Sequence, residues 1–164
     1  VSYMKGLLEK PEEFTNLASF YLYKRNPAMS AKVLEDAISQ KDILFDKANA
    51  KLLSDAWLFA KERSRSLEVL ERSLNDDPND KKLLKQYINI AFSAFEWDQV
   101  ISGIKKAQNI GVDDDGKHSL MIGIAYFENK NLNRAEVSFV EASNSKKYAD
   151  QGKAWLEYLE ALKG

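Results

Sequence analysis

From Pro11 onward the apolar residues recur three and four positions apart, and short polar segments interrupt them at regular intervals. That spacing places the apolar side chains along one stripe of an α-helix. It predicts helices over 11–24, 27–40, 47–61, 65–75, 81–94, 98–109, 116–129, 132–144 and 149–163. The chemistry at the boundaries agrees. Asn26 before Pro27 reads as a cap followed by proline at the first helical position. Asp46, Ser64 and Asp80 read as further N-caps, and Gly111 as a helix stop. The connections at 41–46 and 110–115, which contain DILFD and GVDDD, are longer than the rest.

A slower period lies above the helical one. Ile122, Gly123, Tyr126, Ala135, Phe139 and Ala142 reappear upstream as Tyr87, Ile88, Ala91, Val100, Ile104 and Ala107. They reappear again as Leu53, Ser54, Trp57, Ser66, Leu70 and Ser73, and once more as Leu17, Ala18, Tyr21, Ser30, Leu34 and Ala37. The first and fifth slots are always large and apolar, and the sixth is always small. Gly123 gains a purpose in this scheme. Glycine inside a helix costs ~1 kcal/mol relative to alanine, and a position where two helices cross justifies that cost. The expected contact is with Ala135, as for the pairs Ala18/Ser30 and Ser54/Ser66. Ile88/Val100 breaks the rule, with Ala91 and Gly103 as the compensating small residues.

These slots, together with Pro78 in NDDPND, resemble the tetratricopeptide repeat, a helix–turn–helix unit of 34 residues. The resemblance covers about residues 11 to 149. It implies an all-α, right-handed superhelix, an α-solenoid of about four repeats at 11–46, 47–80, 81–115 and 116–149, forming a single domain. The segment 149–163 begins no further repeat. With Trp155, Leu159 and Leu162 on one face it reads as a capping helix over the last apolar surface. MKGLLEK near the start reads as the remnant of a preceding turn, so the chain is expected to be a fragment of a longer protein.

The stretches NLASFYLYKRNPAMSAKVLEDAI, LLSDAWLFAKE and DQGKAWLEYLEAL are similar to the C-terminal part of a narrower group, the proteobacterial tetratricopeptide proteins described as TonB-system components. That resemblance rests on Asn16 to Leu22, Leu52 to Trp57 and Ala154 to Leu159. It implies a periplasmic setting and a protein–protein role. A cytoplasmic adaptor is the alternative, and so is a structural or self-associating spacer whose groove binds nothing.

Composition narrows the chemistry. Basic and acidic residues number 24 and 25, so there is no electrostatic footprint for nucleic acid. No apolar run is long enough to insert into a membrane. Cysteine is absent, which removes thiolate catalysis and cysteine-based metal sites. The one histidine, His118, is read as an exposed surface residue beside a helix start. The acidic runs NDDPND and DDDG lack the twelve-residue loop of a calcium site and read as caps and turns. With no phosphate loop and no nucleophile–base motif, the expectation is a non-enzyme without cofactor, metal or catalytic residues.

The resemblance further implies a concave groove lined by the first helix of each repeat. Carried onto this sequence, the groove would hold Lys51, Asp55 and Phe59, then Lys82, Lys85, Asn89 and Phe92, then Lys117, Ile124 and Phe127, with Ser19 and Tyr23 at its N-terminal end. The expected partner-binding residues are Tyr23, Lys51, Phe59, Lys82, Lys85, Asn89, Phe92, Lys117 and Phe127. Aromatics beside a lysine row suit a protein or peptide with acidic character. The carboxylate clamp of chaperone-type repeats is not expected, because Asp55 and Met121 stand where the clamp needs asparagine and arginine.

Overall fold

The computed structural model describes residues 7–112 and 114–163. Among these the chain is all-α, with nine helices: α1 (Pro11–Tyr23), α2 (Pro27–Ser39), α3 (Lys47–Phe59), α4 (Arg63–Asp76), α5 (Lys81–Ser93), α6 (Trp97–Asn109), α7 (Lys117–Glu128), α8 (Leu132–Ser143) and α9 (Ala149–Lys163). Every helix expected from the apolar spacing is present, with no end shifted by more than two residues. The chain forms two compact units, Val1–Pro78 and Asn79–Gly164. Within each, consecutive helices pack in sequence: α1 on α2, α2 on α3 and α3 on α4 in the first, and α5 through α9 in the second. The upstream turn read into MKGLLEK falls partly on residues outside those described.

The helix starts follow local chemistry. Asn26, Asp46, Asp80 and Asn131 each accept a hydrogen bond from a backbone N–H three residues on. Ser64 does not cap: α4 begins at Arg63, so Ser64 already lies inside its first turn, and Glu62 precedes the helix. At α1 the carboxylate of Glu13 reaches back to the N–H groups of Lys10 and Glu9, at 2.9 and 2.8 Å. Those two bonds, led by Lys10, hold its pKa below the ordinary carboxylate value.

The turns inside the four hairpins share one geometry. Arg25, Lys61, Phe95 and Lys130 occupy equivalent repeat positions, and all four have positive φ, between 57° and 64°. The following residue in each turn donates its N–H to the carbonyl five positions back: Asn26 to Tyr21, Glu62 to Trp57, Glu96 to Ala91 and Asn131 to Tyr126. This is the Schellman arrangement, in which a left-handed residue closes a helix end.

The core of the first unit includes Ala18, Ala31, Leu34, Leu53, Ala56 and Trp57, and Ile43 from the long α2–α3 connection joins it. Ser54 and Ser66 meet as expected, their hydroxyls 2.8 Å apart and buried. In the second unit the close approaches are made at glycines. A Cβ on Gly123 would lie 2.6 Å from the ring of Phe139, so the missing side chain makes room for that ring. Phe139 is fully buried and stacks on Trp155 of α9, with centroids 5.0 Å apart. Gly103 compensates Ile88 directly: a Cβ there would stand 2.9 Å from Ile88 Cγ1. Gly152, which the repeat pattern did not single out, brings α9 against the backbone of α8. A Cβ there would fall 2.5 Å from the amide nitrogen of Ser143.

Candidate functional site

The α5 sequence places Lys82, Lys85 and Asn89 three and four residues apart, on one face of the helix. All three are exposed, while Leu83, Leu84, Tyr87 and Ile88 turn into the core. The first turn of α7 comes alongside. Lys117 Nζ donates to Asn89 Oδ1 at 2.8 Å, a bridge between residues 28 apart in sequence. Four of the nine expected residues thus share one surface, formed by α5 and α7 of the second unit.

Beneath that surface lies a group misread from the sequence. His118 is not a surface residue; it is 7% exposed, because α7 turns its position toward the interior. Its Nδ1 lies 2.8 Å from Asp114 Oδ2. The same carboxylate oxygen accepts from the His118 backbone N–H, and Asp114 Oδ1 accepts from Gly116 N–H at 3.2 Å. Asp114 therefore organises the start of α7, where Gly116 has no side chain to do so. Burial pushes the imidazole below its ordinary pKa; Asp114 opposes this, and the charges of Lys117 and Lys85 reinforce it. The signal that could have revealed His118 is its position four residues after Asp114, in the first turn of a helix.

The remaining expected residues are arranged differently. Phe92 is half-buried and packs edge-on against Trp97, with centroids 5.6 Å apart. Phe127 is half-buried between Trp155 and Tyr158 of α9, at 5.2 and 5.8 Å. In the first unit, Lys51 Nζ pairs with Asp55 at 2.5 Å. Phe59 is 69% exposed and Tyr23 is 80% exposed. Phe59 lines a pocket of about 330 Å³ with Leu22, Arg25 and Pro27. Met121, at the arginine position of the chaperone clamp, is buried.

Among the described residues no cluster of three or more His, Asp or Glu side chains is arranged to hold a metal ion. Among the same residues no helix is long and apolar enough to cross a membrane.

No protein-family model and no curated protein matches the sequence. Solved structures do match. "MamA 41-end from Desulfovibrio magneticus RS-1" is 13% identical with a TM-score of 0.63, over 95% of this chain and 86% of that one. "MamA AMB-1" is 17% identical with a TM-score of 0.64, over 94% of this chain and 82% of that one. The C-terminal part of a TPR repeat-containing protein from Cytophaga hutchinsonii is 17% identical with a TM-score of 0.63, over 99% of this chain and 63% of that one. At such identities the likeness is one of fold: an all-α array of sequentially packed helix pairs, as in tetratricopeptide structures.

Proposed function

We propose that this chain is a non-catalytic protein-interaction scaffold that holds an extended, acidic peptide segment on the α5/α7 face of its second unit. The observation that carries the reading is the Lys117–Asn89 bridge, which joins half-buried Lys117 to the exposed face of Lys82, Lys85 and Asn89. Lysines there steer and select acidic residues, and the Asn89 amide can pair with a ligand backbone. A repeat array supports this use, because stacked helices offer an extended face rather than a closed cavity.

The proposed setting is the bacterial periplasm, in association with a TonB-type system. It rests on the similarity of NLASFYL, LLSDAW and AWLEYL to that group. Osmotic-shock fractionation of cells expressing the natural protein checks the compartment; recovery with the spheroplast cytosol would favour the cytoplasmic adaptor.

One observation favours the spacer as second reading: Phe92 and Phe127 spend their rings on packing within the unit. A capture experiment separates the two. Lys85→Glu combined with Asn89→Ala is expected to weaken partner capture while leaving Tm nearly unchanged. Lys106→Glu, exposed on α6, is expected to leave capture intact. Equal loss from both variants, or loss from neither, would move binding off this face and favour the spacer.

A further inference from the structure

The α1–α2 turn of the first unit carries a second surface, of different make-up. Its pocket of about 330 Å³ is lined by Leu22, Pro27 and the Phe59 ring, with the Arg25 side chain as the charged member of the lining. That volume is at the lower end of the ~300–1,000 Å³ typical of ligand sites, enough for one large side chain. The surroundings are aromatic and basic. Phe20 and Tyr23 are exposed, and Lys24 Nζ sits 5.5 and 5.6 Å from their ring centroids. The turn that follows Phe59 carries Lys61 and Arg63, both exposed, with Glu62 between them. Lys24, Arg25, Lys61 and Arg63 thus outnumber a single acid in the two turns that meet at this pocket.

Local structure explains why the pocket stays open. Arg25 takes the left-handed position of its turn, φ 57°, and the Schellman bond from Asn26 to Tyr21 fixes the backbone there. Pro27 then sets the first turn of α2. The Phe59 ring, at the last residue of α3, stays exposed as the pocket wall, while Trp57 and Leu53 of the same helix are buried.

We propose that this pocket is a second peptide site, independent of the α5/α7 face, and that it takes one apolar or aromatic side chain of an acidic segment of a partner protein. The side chain fills the space against Leu22, Pro27 and Phe59. A neighbouring carboxylate of the peptide pairs with the Arg25 guanidinium, and Lys24, Lys61 and Arg63 attract the remaining acids. An aromatic anchor in a pocket beside an arginine is the usual make-up of a strong binding position. Charge complementarity decides the sign of the partner. The concave form favours a single inserted side chain over a bilayer surface, which meets a flat or convex patch.

The test uses the whole chain and a fluorescein-labelled ten-residue peptide with one Leu-Phe step flanked by Asp and Glu, followed by fluorescence anisotropy. Saturable binding is expected, weakening as salt rises. Arg25→Glu and Phe59→Ala are each expected to weaken it about tenfold or more, as for hot-spot truncations, with Tm held close to the parent's. Lys85→Glu/Asn89→Ala is expected to leave it unchanged, so the result stands whatever becomes of the α5/α7 face. A peptide with Lys in place of Asp and Glu is expected not to bind. Equal binding of both peptides, insensitivity to Arg25→Glu and Phe59→Ala, or no saturable binding would overturn the proposal. So would co-sedimentation with phosphatidylcholine–phosphatidylglycerol vesicles that those two variants abolish while the acidic peptide fails to bind. That outcome would assign the patch to a membrane surface.

Discussion

At the residue scale the glycines of the second unit show how little space its packing leaves. Gly123 faces a fully buried phenylalanine ring that is itself held against Trp155, so the ring has nowhere to retreat. Gly123→Ala is therefore expected to destabilise, by about 1–3 kcal/mol, although alanine is the better helix former. A urea melt of the variant checks this; parent-like stability would mean that Phe139 can move. His118 makes a prediction of a different kind. Its folded pKa is lowered, so the folded state prefers the neutral imidazole. Above the unfolded value, near 6.5, the two states bind the same number of protons and the group is silent. As pH falls through 6.5 toward the depressed folded value, the unfolded chain binds the proton first and stability is lost. A pH series of urea melts should show this loss, and His118→Asn should flatten it, leaving the carboxylate contributions at lower pH. Among those is Glu13, whose lowered pKa gives α1 stability at neutral pH that disappears as pH falls through its folded value.

At the element scale the four hairpin turns are built on one plan, yet three different residue types fill the left-handed position. L-residues adopt that conformation at a cost of about 1–2 kcal/mol, and glycine does not. Lys130 has φ 61° and is exposed. Lys130→Gly is thus expected to stabilise the second unit by about 0.5–1 kcal/mol, after the larger entropy glycine loses on folding. Thermal denaturation is the check, and a lower Tm would mean that the lysine stem contributes packing that outweighs the relief. The side chains at these positions also explain the difference between the two units' turns. Arg25 and Lys61 make both turns of the first unit basic, whereas in the second Lys130 is basic and Phe95 leans toward Trp97, with centroids 5.6 Å apart.

At the scale of the whole molecule, repeat arrays depend on contacts between neighbours, so an end must be covered. Helix α9 covers α8: Leu159 is buried, Trp155 stacks on Phe139, and Lys163 pairs with Glu136 at 2.6 Å. Removal of residues 149–164 is expected to expose the Phe139 and Phe127 rings and broaden the unfolding transition of the second unit. Size-exclusion chromatography and dye binding to exposed apolar surface would report it. A monomeric truncation as stable as the parent would show that α9 is not a cap.

The sequence by itself determined the helices of the described residues and the recurrence of their pairs. Helical periodicity and capping chemistry are local, and small residues at fixed intervals announce where helices must cross. The family resemblance named Lys82, Lys85, Asn89 and Lys117; the spacing along α5 accounts for the first three sharing a face, and the bond from Lys117 to Asn89 joins the fourth to them. Only the tertiary structure decided which neighbour each small residue serves: Gly123 answers Phe139, and Gly152 answers the α8 backbone. It likewise buried His118 against Asp114, drew Ile43 of a long connection into the core, and set Phe127 on Trp155 and Tyr158 while leaving Phe59 exposed. The physical reason is the same in each case. Periodicity says which side of a helix faces inward, but the depth of a side chain is fixed by the volume its neighbours leave.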